Sequence, residues 1–310
     1  MGASVSDVRA LLDAAHKGFS SLDCVQSFNL LVDGLAAINR VVGNQIFVSR
    51  VTPMCRSHAI WELCQQEPVT RHAIKKPRGY AGDAELIDYY YGLSGPQPTD
   101  TPLGRQLYRG VYSRSGGESL RWRRALLARC IDNVADRWGG ETEIMSIAAG
   151  HFREGQLSQA LAKQRLKRIL CFDQDRASLK EVRRSFPSGP VETLTGSVRT
   201  LLDKSSSPLG HFHLIYAAGL YDYLEARLAA RLTARLFSML RPRGRLVLAN
   251  FAPETSEQGY MCAFMDWHLK YRSEKEVDAF CAELGGSDVA RKKLFRDEPG
   301  NVIYIELVRA

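Results

Sequence analysis

Two small groups of residues have types and spacing that suit chemistry on a nucleoside. The apolar run EIMSIAA ends in Ala148, Ala149 and Gly150, and the run RILCFD ends in Asp173 and Gln174. A carboxylate about 20 residues beyond a small-residue turn is placed to accept hydrogen bonds from both hydroxyls of a ribose. Asp175 suits the role of a helix cap better, which leaves Asp173 as the ribose candidate. A dinucleotide would demand more glycine at the first turn, because its pyrophosphate lies against the backbone. With one glycine followed by His151, Phe152 and Arg153, the turn suits a smaller group such as an amino-acid end, held by amides at a helix start. Further edges are Thr195-Gly196-Ser197-Val198, suited to an adenine, and Tyr216-Ala217, small and aromatic residues beside the same ligand. Asn250 and Phe251 end another apolar run. Among the histidines, His151 alone stands at such an edge as a candidate general base.

The elements that must carry these residues follow from the hydrophobic period. From residue 141 onward, short apolar runs alternate with amphipathic segments: EIMSIAA, RILCFD, VETLTG, FHLIYAA and GRLVLANF, with helices expected over 153–163, 176–185, 225–240 and 258–284. Such repeats build a parallel sheet covered on both faces. VARKKLFR and NVIYIELV, joined by Asp-Glu-Pro-Gly, read as a closing antiparallel hairpin. Before residue 139 the pattern is almost wholly helical, with Phe28, Leu31, Leu35 and Ile38 on one stripe and a further helix over 54–64. The expected organisation is α/β: a helical N-terminal domain, 1–138, and a Rossmann-like domain, 139–310.

Bulk properties narrow the classes. The chain has 310 residues, 45% hydrophobic and 25% charged, an ordinary globular composition. No stretch approaches the ~20 apolar residues of a membrane span, and the N-terminus lacks the pattern of a secretory signal. Seven scattered cysteines without a CxxC pair read as reduced, mostly buried thiols, so a cytoplasmic location is expected. No cluster has metal-ligand spacing in the sequence, so no metal is expected. The net charge of +8 is dispersed over 121–124, 163–168 and 291–296 without a nucleic-acid motif, so a nucleic-acid partner is not expected and a small, anionic substrate is compatible.

One connector departs from this pattern. RHAIKKPRGYAGDAELIDYYYG, residues 71–92, concentrates Lys75, Lys76 and Arg78, a Gly-Tyr-Ala-Gly turn and three tyrosines. With the motifs KPRGYAGD (76–83), SIAAGHFRE (146–154), IYAAGLYDYL (215–224), Asn250-Phe251 and DWHLKYR (266–272), the chain resembles the class I S-adenosylmethionine (SAM)-dependent methyltransferases. The branch it resembles includes enzymes that form methyl esters of 3-hydroxy fatty acids, and its fold is similar to that of synthases that cyclise SAM to azetidine-2-carboxylate. Ser146 stands where most of the family has an acidic residue, and His213 replaces the usual aspartate before the fourth strand.

The resemblance implies SAM as methyl donor, or as the substrate itself, and a small-molecule acceptor. It implies that residues 76–83 act as a lid over the SAM pocket, which fits a reaction accelerated by alignment and water exclusion. Arg78 and Asp83 would then serve the cofactor, and the Tyr80 face would attract the sulfonium. Asp266, Trp267 and Arg272, expected on one helix, would border the acceptor, although Trp267 and Tyr221 suit a core equally well. Methyl transfer to a carboxylate or hydroxyl is the first expectation. Cyclisation of SAM, releasing methylthioadenosine, and a non-catalytic SAM-sensing or RNA-binding protein are the alternatives.

Overall fold

The computed structural model describes residues 5, 7–20, 23–203 and 209–310. The chain forms two units, one of Met1–Leu120 with Glu254–Leu269 and one of Arg121–Pro253 with Lys270–Ala310.

The second unit is built on the strands that the alternating runs predict: β1 (Glu143–Ile147), β2 (Arg168–Asp173), β3 (Val191–Thr195), β4 (Phe212–Ala217), β5 (Leu240–Phe251), β6 (Val289–Arg296) and β7 (Val302–Arg309). They form one sheet in the order β3-β2-β1-β4-β5-β7-β6. The first five are parallel, and β7 runs antiparallel between β5 and β6. β1 and β4 are buried along their whole length, because helices cover both faces of a parallel sheet. Met145, Ile147, Leu170, Phe172, Ile215, Leu246 and Leu248 meet Leu232 and Leu236 of the helix Ala226–Ser238 in this core. The chain winds outward from β1 through β2 to β3, then returns to place β4 on the other side of β1. That reversal between β1 and β4 is the topological switch point, the place where open α/β sheets bind ligands.

The first unit is helical. Phe28, Leu31, Leu35 and Ile38 form the buried stripe of helix Cys24–Val42. Helix Gln258–Met265 is buried on nearly every face, as expected of a segment without a polar side. It lies so close to Cys24–Val42 that a Cβ on Gly259 would come within 2.9 Å of the Leu35 backbone.

Three local expectations are corrected. The segment 258–284 is not one helix: Gln258–Met265 ends with Asp266 in the left-handed region (φ 47°), and a short helix, Glu274–Asp278, starts only at the Ser273 cap. Asp266, Trp267 and Arg272 therefore share no helix face. The segment 153–163 is a 3₁₀ turn, Arg153–Leu157, followed by Gln159–Ala162. Ser158 caps the latter by accepting from the Leu161 amide, and its hydroxyl donates to Asp132 at 2.6 Å. The segment 54–64 breaks at His58, whose Nδ1 accepts the Ile60 amide. In each case a polar side chain takes a backbone amide or a distant ion pair that periodicity cannot register.

The helix Ser115–Trp138 belongs to both units. Beyond Leu120 its contacts are those of the sheet unit, with the Trp122 ring 5.5 Å from Tyr304 and Arg124 donating to the Arg153 carbonyl. No helix among the described residues is long and apolar enough to cross a membrane. Cys24, Cys55, Cys64, Cys130, Cys171, Cys262 and Cys281 are all free thiols, and only Cys281 is not fully buried.

Candidate ligand-binding site

At the C-terminal ends of β1, β2 and β3 the chain ties three edges together through backbone amides. The Gly150 amide donates to Asp173 Oδ2 at 2.8 Å, and the Asp175 amide donates to Asp173 Oδ1 at 2.8 Å. The Ala149 amide donates to the Phe172 carbonyl, and the Gly196 amide donates to the Asp173 carbonyl. Asp173 is 6% exposed, and burial pushes its carboxyl up from the ordinary aspartate range while the amides of Asp175 and Gly150 pull it back. The Gln174 amide lowers it as well, so three backbone N–H groups hold this carboxylate in place.

The turn after β1 has an alternating backbone. Ala148, Gly150 and Phe152 all lie in the left-handed region, at φ 51°, 52° and 51°. Such a conformation suits glycine but strains alanine and phenylalanine, and strain of this kind gathers where a ligand is gripped. Ala148 is exposed, and Ala149 and Gly150 are half-buried, so their small side chains leave the backbone approachable. Gln174 is exposed beside Asp173. Ser197 and Val198 are half-buried at the start of helix Val198–Leu202, where Ser197 and Thr200 form a capping box.

Below this edge lies a polar layer that the sequence did not announce. The Tyr216 hydroxyl donates to Glu154 Oε1 at 2.8 Å, both buried. Burial raises the Glu154 carboxyl, and burial with the neighbouring Glu154 charge raises the tyrosine. Arg123, 8% exposed, donates to the Ala218 carbonyl at 2.6 Å, just beyond Ala217. Asp222 accepts the Phe251 amide at 2.7 Å, and burial pushes its carboxyl up to about 6. Glu154 and Asp222 stood inside recognised motifs, but only their distant partners reveal their part.

Several expected site residues prove committed elsewhere. Asn250 is fully buried: its amide donates to the carbonyls of Phe251 and Lys270, and its oxygen accepts from Arg272 at 2.6 Å. Arg272 is buried as well, donating to the carbonyls of Tyr221 and Leu224, with its guanidinium 5.4 Å from the Phe280 ring. It fastens the loop after β4 rather than facing an acceptor. The Tyr221 hydroxyl is paired with Thr233 at 2.9 Å in the core. Arg153 forms an ion pair with Glu181 at 3.0 Å, and its other nitrogen lies 3.4 Å from Nδ1 of the buried His151. None of these four side chains, nor His151, stands open at the strand edge. The His213 Nδ1 accepts the Glu143 amide at 3.0 Å, and burial lowers its pKa.

The remaining expected residues belong to the helical unit. Lys76 ends helix Pro68–Lys75 in the left-handed region and pairs with Asp266 at 2.5 Å. Arg56 at 2.8 Å and His268 at 3.2 Å complete the partners of that carboxylate. Burial pushes Asp266 up, but hydrogen bonds from Lys76, Arg56 and His268 outweigh it and hold the carboxyl below the usual range. Trp267 is buried against Gly82, where an added Cβ would stand 2.5 Å from the indole. Arg78 pairs with Glu85 at 2.6 Å, and Tyr80 is half-buried. Asp83 is fully buried, caps the next helix through the Leu86 amide at 2.8 Å and meets His72 Nε2 at 2.9 Å through both oxygens. Its carboxylate thus caps that helix and holds His72. His72, Asp83 and Glu85 hold their ligand atoms within 4.8 Å of one another, a spacing invisible in the sequence. The hydrogen bond of His72 to Asp83 and the ion pair of Arg78 with Glu85 account for that arrangement.

No protein-family model matches the chain, and no curated protein does. Among solved structures, it is similar to a possible exported protein from Bordetella parapertussis, with 13% identity over 98% of this chain and 95% of the other and a TM-score of 0.61. It is also similar to a DUF574 family protein from Streptomyces avermitilis, with 14% identity, coverages of 73% and 97%, and a TM-score of 0.54. A weaker likeness, with a TM-score of 0.44 at 14% identity and coverages of 73% and 97%, is to the N-methyltransferase NodS of Bradyrhizobium japonicum in complex with S-adenosylhomocysteine. At such identities the likeness is one of fold. Five parallel strands with an antiparallel pair at β5, in the order observed here, make the sheet of the class I methyltransferase fold.

Proposed function

We propose that the sheet unit binds S-adenosylmethionine at the C-terminal ends of β1–β4, and that the protein transfers its methyl group to a small-molecule carboxylate or hydroxyl. The observation that carries this reading is the Asp173 carboxylate at the end of β2, fixed by the amides of Gly150 and Asp175 beside the small-residue turn after β1. A carboxylate so placed suits the two ribose hydroxyls. The strained, small-residue turn at Ala148, Ala149 and Gly150 suits the methionyl end, and Gln174, Ser197 and Val198 border the place for an adenine. Tyr216 and Ala217 underlie the same edge.

Bound SAM supplies an activated methyl on a sulfonium, so the protein's share is to bind, orient and exclude water. A carboxylate acceptor needs no base, which agrees with the commitment of Tyr221 and Asn250 to other partners. The resemblance assigns Arg78 and Tyr80 to the same chemistry, and cytoplasmic localisation agrees with the free thiols.

Cyclisation of SAM makes the same demands on the pocket. There the amino nitrogen attacks the side-chain carbon attached to sulfur, the carbon–sulfur bond breaks, and the nitrogen releases a proton as methylthioadenosine leaves. Calorimetry with SAM and S-adenosylhomocysteine tests the binding, and absence of heat with both overturns it. Incubation with SAM alone tests the reaction: methylthioadenosine with azetidine-2-carboxylate overturns methyl transfer, whereas intact SAM excludes cyclisation.

A further inference from the structure

At the opposite pole of the sheet from Asp173, the N-terminal ends of β1, β4 and β5 surround a cavity of about 490 Å³. Its lining includes Glu143, His211, Leu240, Arg241, Pro242 and Arg309. Pro242 supplies an exposed apolar face beside the buried Leu240, and the two guanidiniums supply positive charge. Arg309 donates through Nη1 alone, to the carbonyls of Ser238 at 3.2 Å and Leu240 at 2.6 Å. Its Nε and Nη2, the two-pronged side that matches a carboxylate, have no hydrogen-bond partner among the described residues. Arg241 donates through Nε to the His211 carbonyl at 3.2 Å and stands 3.6 Å from Glu143. The one acidic side chain in the lining is already neutralised, since Glu143 also pairs with Lys167 at 3.1 Å. Burial pushes Glu143 up, but Lys167 and Arg241 outweigh it and hold its carboxyl below the ordinary glutamate range.

We propose that this cavity is a second binding site, distinct from the SAM edge, for a small organic anion that carries one carboxylate on a short apolar body. The carboxylate meets the open fork of Arg309 and the Arg241 guanidinium, and the short apolar body lies against Pro242. The volume falls within the range of about 300–1,000 Å³ usual for small-molecule sites. The site makes no use of Asp173 or Gly150, so its occupancy is independent of the proposed cofactor.

The test uses octanoate and inorganic phosphate as probes on the full-length protein, read by calorimetry and by hydrogen exchange. Saturable octanoate binding that persists in excess SAM and protects the segment that contains Leu240 and Arg241 is the expected result. Arg309→Gln and, separately, Arg241→Gln each weaken it by about tenfold or more, the value of one charge-assisted hydrogen bond. Arg241 is 41% exposed in its side chain, so its variant is expected to fold even where loss of the carbonyl bonds harms Arg309→Gln. The proposal is overturned by absence of saturable binding, by competition with SAM, by protection confined to other segments, or by phosphate binding as tightly as octanoate.

Discussion

Replacing Asp173 with asparagine separates the two tasks assigned to one carboxylate. In the folded protein Asp173 accepts the Gly150 and Asp175 amides, each at 2.8 Å, on different oxygens. Asparagine offers one oxygen, so its amino group must face one of these N–H groups, donor against donor. A buried donor left unsatisfied costs about 1–3 kcal/mol, which lowers the melting temperature by several degrees. The ligand loss is larger. Two charge-assisted hydrogen bonds to a ribose diol, at about 1.5–3 kcal/mol each, become at best one neutral bond. A net loss near 3 kcal/mol weakens SAM about 100-fold. Calorimetric titration of wild type and Asp173→Asn with SAM, paired with thermal melts without ligand, gives both numbers. A melting temperature that falls while SAM affinity stays within twofold would show the carboxylate to be a loop brace only, and would refute the ribose assignment.

Other substitutions test the layers around the site. Tyr216→Phe removes the donor to the buried Glu154 carboxylate; a destabilisation of about 1–3 kcal/mol is expected in denaturant melts, with Glu154→Gln in the same background recovering part of it. Gly82→Ala places a methyl 2.5 Å from the Trp267 ring; overpacking of about 1–3 kcal/mol is expected, and an unchanged melting temperature would refute the contact. Glu67 is fully buried, caps helix Pro68–Lys75 through the Val69 and Thr70 amides, and is pushed up to about 7 by burial. A raised folded pKa favours the protonated fold, so this group's contribution to stability is complete below its ordinary pKa and declines as pH rises through about 7. Glu67→Gln is therefore expected to flatten the fall in stability between pH 4.5 and about 7.5, measured by melts across that range; an unaltered slope would count against the assignment.

The closing hairpin illustrates what local pattern secures. VARKKLFR and NVIYIELV carry a strand period with a Pro-Gly turn between them, and they form β6 and β7. The same holds for the five apolar runs, whose β1–β5 strands need no information beyond their own period and their buried neighbours. Because a parallel sheet presents its ligand edge at the strand C-termini, reading the strands also located Gly150 and Asp173, now joined by a 2.8 Å hydrogen bond. Motif resemblance alone did not distinguish open side chains from committed ones. Asn250, Tyr221 and Arg272 fall in recognised motifs, yet all three are spent on hydrogen bonds inside the unit.

The sequence by itself determined the strand–helix alternation, the closing hairpin, and the small and acidic residues at the strand ends. These depend on side-chain period and turn chemistry within a dozen residues, which any stretch of chain displays. Tertiary structure alone decided that Asp266 would stop a helix to meet Lys76 and Arg56, that Glu154 would lie beneath Tyr216, and that Arg272 would brace the loop after β4. Those choices join residues tens to hundreds of positions apart, and a buried polar group must find its partner wherever the packed chain brings one.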